Sequence, residues 1–442
     1  MIKLEPNDPE HYFELADAQI FAHQYEDAVH TYDKLEALSG PTEELASQKI
    51  KLFRQLKQSK KEEAEYKKLI RTFPGEGRYY GMLGQFYQME GKNEEAFKVY
   101  QELLSVDPTN PYVHLSLYEY YRFQRNERKS FEELKLAFTQ DQLEVEAKIK
   151  ILHDDYTFAE NDAPEYKSQV EELCKILTTV HPNDARVRAI YGDFLYRDKK
   201  LKEALTQFHF AVELDKSKFL IWNQLMVINL ELKDYTALEK ESKEVMELFP
   251  TQPAPYYYYG LASMQLKNYQ AAAESLTEGI NYVLDDRNLL SQFYTLQGDA
   301  FHQLQKHKES DQSYEKALQL SPGNPYLLNN YSYYLALRKE RLEEAEKMSI
   351  QALRLEPNNA SNMDTYGWVL YNMGKYSEAE KWVGKAIQEG ASNNSEVLEH
   401  YGDILYQLGD KDKALMFWLD SRGKGNNSLL LEKKISDKKL YE

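Results

Sequence analysis

A unit of about 34 residues recurs along nearly the whole chain, and this limits the possible folds more than length or composition does. Residues 189–215, AIYGDFLYRDKKLKEALTQFHFAVELD, show it. A small residue stands at Gly192 and a large apolar one at Leu195. A second small residue follows at Ala204, then Phe208 and Ala211. The first of these positions falls at Ala16, Ile50, Gly84, Tyr118, Gly192, Met226, Gly260, Gly298, Ser332, Gly367 and Gly402. The spacings are 34, 34, 34, 74, 34, 34, 38, 34, 35 and 35. The 74 leaves room for one irregular unit, which makes twelve.

Twelve residues further on, a second small residue stands at Ala28, Ala96, Ala204, Ala272, Ala379 and Ala414. Four later comes a ring or a large apolar residue: Tyr32, Tyr66, Tyr100, Phe208, Leu276, Tyr314 and Trp418. Small residues let two antiparallel helices approach, and the large ones fill the space beside them. Pro74, Pro108, Pro182, Pro250, Pro322 and Pro357 close many units, because proline cannot continue a helix. The spacing predicts Gly or a polar residue at the helix–helix turns, as at Gly91, Lys199, Lys267, Gly374 and Gly409.

Residues 363–390 and 83–108 carry this pattern most fully, and it resembles the tetratricopeptide repeat, with W-x2-L-G-x2-Y in the first helix and A-x3-F-x2-A in the second. The resemblance implies an all-α fold: a right-handed superhelical solenoid of about twelve antiparallel helix pairs over residues 1–426, followed by a capping helix at 427–442. It departs from the pattern at Ile50 and Glu62, at Tyr118 and Ser130, and over an irregular unit at about 138–182.

Composition agrees, with 42% hydrophobic and 29% charged residues. No run of 18 apolar residues occurs, so no membrane span is expected within this sequence. The single Cys174 sits at a ring position and reads as a buried thiol, and no Cys/His spacing suggests zinc. The opening IKLEPNDP matches the end of a second helix, compared with LRLEPNNA further on. It reads as the start of a fragment, with further repeats or a targeting signal upstream. At the other end Asn427 or Ser428 is placed to cap a helix carrying Leu429, Leu430, Leu431 and Ile435. The competing reading there is a basic tail around Lys433, Lys434, Lys438 and Lys439.

Catalytic motifs are absent: no phosphate-binding G-x4-GK(S/T), no G-x-S-x-G and no H-E-x-x-H. The histidines are scattered, and the 72 acidic residues are spread over solvated faces. Neither an enzyme nor a cofactor is expected. A net charge of −17 argues against nucleic acid.

Binding of other proteins or of extended peptides remains. In tetratricopeptide repeats the first helices line the concave wall, and the second, fifth, ninth and twelfth positions of each unit face inward. That resemblance places Tyr257, Asp299, Asn329, Tyr333, Asp364, Trp368, Tyr371, Glu399, Asp403 and Tyr406 on the wall, with Tyr112, Glu119, Asp193, His302 and Tyr326 also on the stripe. An aromatic and acidic wall favours a basic or amide-rich segment. The densest cluster is Tyr333, Trp368, Tyr371 and Tyr406. The fifth positions hold no basic residue, which argues against a clamp for a C-terminal carboxylate.

The stretch 324–390 is similar to a tandem found in bacterial envelope tetratricopeptide proteins. That likeness implies a periplasmic scaffold for assembly or secretion machinery, anchored to the outer membrane as a lipoprotein through an upstream segment. The alternative is a cytoplasmic regulator that binds a peptide or a signalling protein. The sequence leaves the oligomeric state open.

Overall fold

The computed structural model describes residues 8–157 and 164–441. The reading of the chain start rests on residues 1–7, which lie outside the described residues, as do 158–163 within the irregular stretch. Every regular element among the described residues is helical. The helices form two compact units, residues 1–216 and 217–442.

Among the described residues the first unit holds six helix pairs: α1 (Pro9–Phe21) with α2 (Tyr25–Ser39), α3 (Glu43–Gln55) with α4 (Ser59–Thr72), α5 (Gly77–Met89) with α6 (Asn93–Val106), α7 (Pro111–Phe123) with α8 (Glu127–Thr139), α9 (Val145–Thr157) with α10 (Pro164–Val180), and α11 (Ala185–Arg197) with α12 (Leu201–Leu214). The second holds six more: α13 (Phe219–Glu231) with α14 (Tyr235–Leu248), α15 (Pro253–Gln265) with α16 (Tyr269–Gly279), α17 (Arg287–Gln303) with α18 (His307–Leu320), α19 (Pro325–Arg338) with α20 (Leu342–Leu355), α21 (Ala360–Asn372) with α22 (Tyr376–Gln388), and α23 (Ser395–Gln407) with α24 (Lys411–Gly423). A last helix, α25 (Leu429–Asp437), follows. The first helix of each pair is called A below, and the second B.

Starts and stops follow from side chains. Asn110 accepts from the Tyr112 N–H at 2.9 Å, and Pro111 occupies the first helical position of α7. Asn324 and Asn359 cap α19 and α21 in the same way. Each A helix that ends in a tight turn is followed by a residue in the left-handed region: His23, Lys57, Gly91, Arg125, Lys199, Lys233, Lys267, Gln305, Lys339, Gly374 and Gly409, with a second, Arg341, after α19. At α11 the Lys200 N–H donates to the Leu195 carbonyl and the Lys199 N–H to that of Tyr196, the bond pair that closes a helix through a left-handed residue. Glycine takes this geometry freely. The lysines hold it against a steric cost of about 1 kcal/mol.

The 34-residue register is a contact register. A methyl group added at Gly192 would come within 2.7 Å of the Phe208 ring, at Gly298 within 2.8 Å of Tyr314, and at Gly402 within 2.5 Å of Trp418. In each case the glycine of helix A faces the ring sixteen residues later on helix B, and those rings are fully buried. Gly402→Val should therefore lose ~1–3 kcal/mol in chemical denaturation. Gly323→Ala, where nothing lies within 4 Å, should stay within about 0.5 kcal/mol.

Where the second small residue is missing, a polar contact replaces it. Ser130 donates to the Tyr118 carbonyl at 3.0 Å and Ser310 to that of Gly298 at 2.8 Å, so neither buried hydroxyl is left unmade. Glu62 is buried and accepts from Arg54 at 2.8 Å. Cys174 is buried, and burial pushes its thiol up to about 12.

At the end of the chain, Ser428 caps α25 by accepting from the Leu431 N–H at 3.1 Å. Leu431 is buried against Leu405, Ala414 and Trp418. Leu429 is 90% exposed, so it takes no part in that contact. Lys434 is buried rather than part of a free basic tail.

Candidate partner-binding face

The six A helices of the second unit contain no lysine. Their two arginines stand at helix ends, and Arg338 is held by Asp311 at 2.6 Å. The aromatic and acidic residues of these helices form three networks, each reaching from an A helix to other helices of the unit.

The first is centred on Asp299 of α17. It is buried, and Tyr314 of α18 and Tyr334 of α19 both donate to its Oδ1, Tyr334 at 3.1 Å. Burial raises its pKa to about 6 against the pull of these hydrogen bonds. Tyr334 also stacks on His302 at 3.7 Å, and burial, with Arg338 and His307 nearby, lowers that histidine to about 4.

The second joins α21 to α23. His400 Nδ1 lies 3.1 Å from both oxygens of Asp364, and both residues are buried. Burial alone would lower the histidine's pKa, but the Asp364 charge and hydrogen bond outweigh it and the pKa is raised. Trp368 is stacked between the His400 ring, at 3.9 Å, and the Tyr371 ring, at 4.6 Å. Tyr333 of α19 donates to Glu396 of α23 at 2.5 Å.

The third joins α23 to α25. Lys434 donates to Asp403 at 2.8 and 2.6 Å and to Glu399 at 2.7 Å. Trp418 Nε1 donates to Asp403 at 2.8 Å. Burial raises Asp403 to about 6, although Lys434 beside it acts in the opposite direction.

These networks divide the residues that the sequence placed on the wall. Asp299, Asn329, Asp364, Tyr371 and Asp403 are buried, so their side chains lie within the wall rather than on its surface. Asp299 and Asp364 reach the next A helix, at Tyr334 and His400, and Asp403 reaches Lys434 of α25, while Tyr371 packs within its own hairpin against Trp368 and Tyr376. Tyr257, Tyr333, Trp368, Glu399 and Tyr406 are half-buried and keep an accessible edge. Tyr257 packs on Phe293 at 5.3 Å and Tyr406 on Trp418 at 5.7 Å. Tyr326 is the most open ring of the stripe, at 59% exposed. The sequence reading missed His400, which falls at the sixth position of its unit, and Lys434, which reads as surface charge.

The first unit has its own groove of about 310 Å³ between α5 and α7. Arg78, Met82, Gln85, Tyr112, Leu115 and Glu119 line it. Tyr112 and Glu119 are stripe positions.

A family model for the tetratricopeptide repeat matches residues 77–110 and 291–324. The chain carries tetratricopeptide repeats. The matched segments are the α5–α6 hairpin and most of the α17–α18 hairpin, both built on a glycine facing a tyrosine. The chain is similar to N-alpha-acetyltransferase 16, NatA auxiliary subunit, of Mus musculus and of Homo sapiens, each 30% identical over 89 residues. That match covers 20% of this chain and spans about a tenth of the length of those relatives. Among solved structures it resembles the APC/C hetero-tetramer Cut9-Hcn1, with TM-score 0.44 and 11% identity over 99% of this chain and 91% of that one. It also resembles yeast Tom70, with TM-score 0.37 and 14% identity over 97% and 94%. A third is pilF of Pseudomonas aeruginosa, with TM-score 0.35 and 23% identity over 42% and 86%. No helix among the described residues is long and apolar enough to cross a membrane. Tetratricopeptide-repeat proteins generally act as protein-interaction scaffolds, and the chain shares their repeat.

Proposed function

We propose that this protein is a non-enzymatic scaffold that holds extended segments of partner proteins against the A-helix face of its second unit. One observation carries the reading: that face is rich in tyrosine and carboxylates and holds no lysine, whereas five of the six B helices behind it carry lysines. Tyrosine and tryptophan give large contact area at small entropic cost, and the local charge selects cationic or amide-rich chains. The likeness of 324–390 to envelope tandems supports a periplasmic setting, with an outer-membrane anchor upstream and a role in assembly or secretion machinery.

A photo-crosslinking amino acid placed at position 326, on the open part of the face, tests this in intact cells. The control position is 343, exposed on α20. Adducts with envelope proteins from position 326 alone are the expected result. Equal adducts from both positions would remove the face from the proposal, and adducts with cytoplasmic proteins alone would remove the periplasmic setting.

A further inference from the structure

At three joints the fourth residue of an A helix bonds the proline carbonyl that ends the preceding repeat: Tyr80 to Pro74, His114 to Pro108 and Tyr256 to Pro250. His114 and Tyr256 also bond a carboxylate of their own B helix, Glu133 at 2.8 Å and Glu278 at 3.3 Å. These side chains tie the end of one repeat to the second helix of the next. In the irregular unit the fourth residue is Lys148 of α9, and it is fully buried. Its Nζ donates to the Gln140 carbonyl at 2.7 Å, just past α8, and to Nε2 of His181 at 2.8 Å, just past α10. The tie is the same, but here the partner on the B-helix side is a second base. Among the described residues no carboxylate bonds either Lys148 or the His181 ring.

The tie works only while His181 is neutral. Its Nε2 accepts from the lysine. A proton on that nitrogen removes the acceptor and sets two cations side by side, where burial already makes one costly. His181 is half-buried, so protons reach it from solvent. We propose that the Lys148–His181 bond is an acid-released latch. At neutral pH it holds α9 between the ends of α8 and α10, and protonation of His181 frees α9 from that joint. The latch sits in the first unit and is independent of what the second unit binds.

Burial and the Lys148 charge push the pKa of His181 below its ordinary 6.5. A base lowered on folding favours the folded state fully above its ordinary value, and that advantage is lost as pH falls through the folded one. The window of the latch therefore lies below 6.5. Burial pushes Lys148 from 10.5 down to about 8, so it is charged throughout that window. Among the described residues the other charges facing the pair are Asp141 before α9, Asp184 after α10 and Arg186 on α11. The two aspartates favour a proton on His181, and Arg186 opposes it. Arg186 bonds Asp184 and Glu146 of α9 and holds both carboxyls below the usual range, so these charges stay fixed while His181 titrates.

Hydrogen exchange of the full chain at pH 7 and pH 5, corrected for the intrinsic rates, tests the latch. Protection across Val145–Thr157 should fall about tenfold at pH 5, the effect of one charge-assisted bond, while α5 and α6 change little. His181→Gln keeps an oxygen acceptor for Lys148 and takes no proton, so α9 should be equally protected at both pH values. Exchange of the histidine C2 hydrogen reads the titration midpoint of His181 itself. The midpoint should stand below 6.5 in wild type and rise in Lys148→Met, which keeps an unbranched stem and removes the charge. If wild type keeps its protection at pH 5, or if His181→Gln loses as much as wild type, the latch is overturned. A midpoint that does not move in Lys148→Met would mean that the two bases are not coupled, which overturns it as well. Should Lys148→Met not fold, the comparison of wild type with His181→Gln still decides.

Discussion

Lys434→Ala is expected to free the last helix from the second unit, with a loss of about 3–5 kcal/mol at pH 8, the cost of leaving a buried charge without its partner. Lys434 is 2% exposed and bonds Asp403 and Glu399, both on α23. Its removal leaves Asp403 buried beside Trp418 with no cation. The effect should be local, so hydrogen exchange is the informative measurement: protection should fall across Ser395–Gln407 and Leu429–Asp437, with α13–α16 unchanged. At pH 5 the loss should be smaller, because Asp403 then takes a proton in place of the lysine. Adding Asp403→Asn to Lys434→Ala should recover most of the stability, since no charge is then stranded. Unchanged exchange in Lys434→Ala would show that apolar contacts through Leu431 hold the helix without the ion pair.

Asp299→Asn is expected to do the reverse and stabilise the protein at neutral pH. The carboxyl has a pKa of about 6 in the fold and an ordinary value of 3.8. A carboxyl raised on folding favours the folded state fully below its unfolded pKa, and that advantage is lost as pH rises through the folded value. Stability from this group therefore falls between about pH 4 and pH 6 and stays low above. A shift of this size corresponds to roughly 2–3 kcal/mol. Asparagine keeps an acceptor for Tyr314 and Tyr334 without the buried charge. The difference between wild type and variant, followed by urea denaturation, should be largest at pH 7–8 and smallest at pH 4. Taking the difference cancels residues such as Glu63, whose carboxyl is held near 2 by Lys67. A variant that is less stable than wild type at pH 8 would mean that the charge itself holds the tyrosines in place.

The helix pairs were readable because their information is periodic. Gly192 and Phe208, Gly298 and Tyr314, and Gly402 and Trp418 repeat one spacing, and each pair is a contact. The wall was readable only in outline. Periodicity gave the side of helix A on which Asp299, Asp364 and Asp403 lie, but not how close the next helix comes, and that distance decides whether a side chain faces solvent or a neighbour. Lys434 was beyond reach for a related reason: in a sequence, a lysine among lysines looks like solvated charge, and only the carboxylates of α23, some thirty residues earlier, make it a buried one. His400 carried no signal, since its partner Asp364 belongs to the previous unit.

Two of the places where the chain departs from its 34-residue step carry a consequence for how such a protein is inherited. Between Gly260 and Gly298 four residues are added, and they appear as a short 3-10 turn at Ile280–Tyr282 and a longer α17. Between α19 and α20 one residue is added, and it is taken up by a second left-handed residue, Arg341, steadied by Tyr331, Glu315 and Glu344. Neither addition falls inside a matched helix face, where one extra residue would turn everything after it by about 100° and carry every glycine away from its ring. A gene for such a chain tolerates insertions and deletions at the tips and junctions of its hairpins, and selection removes them from the helices between.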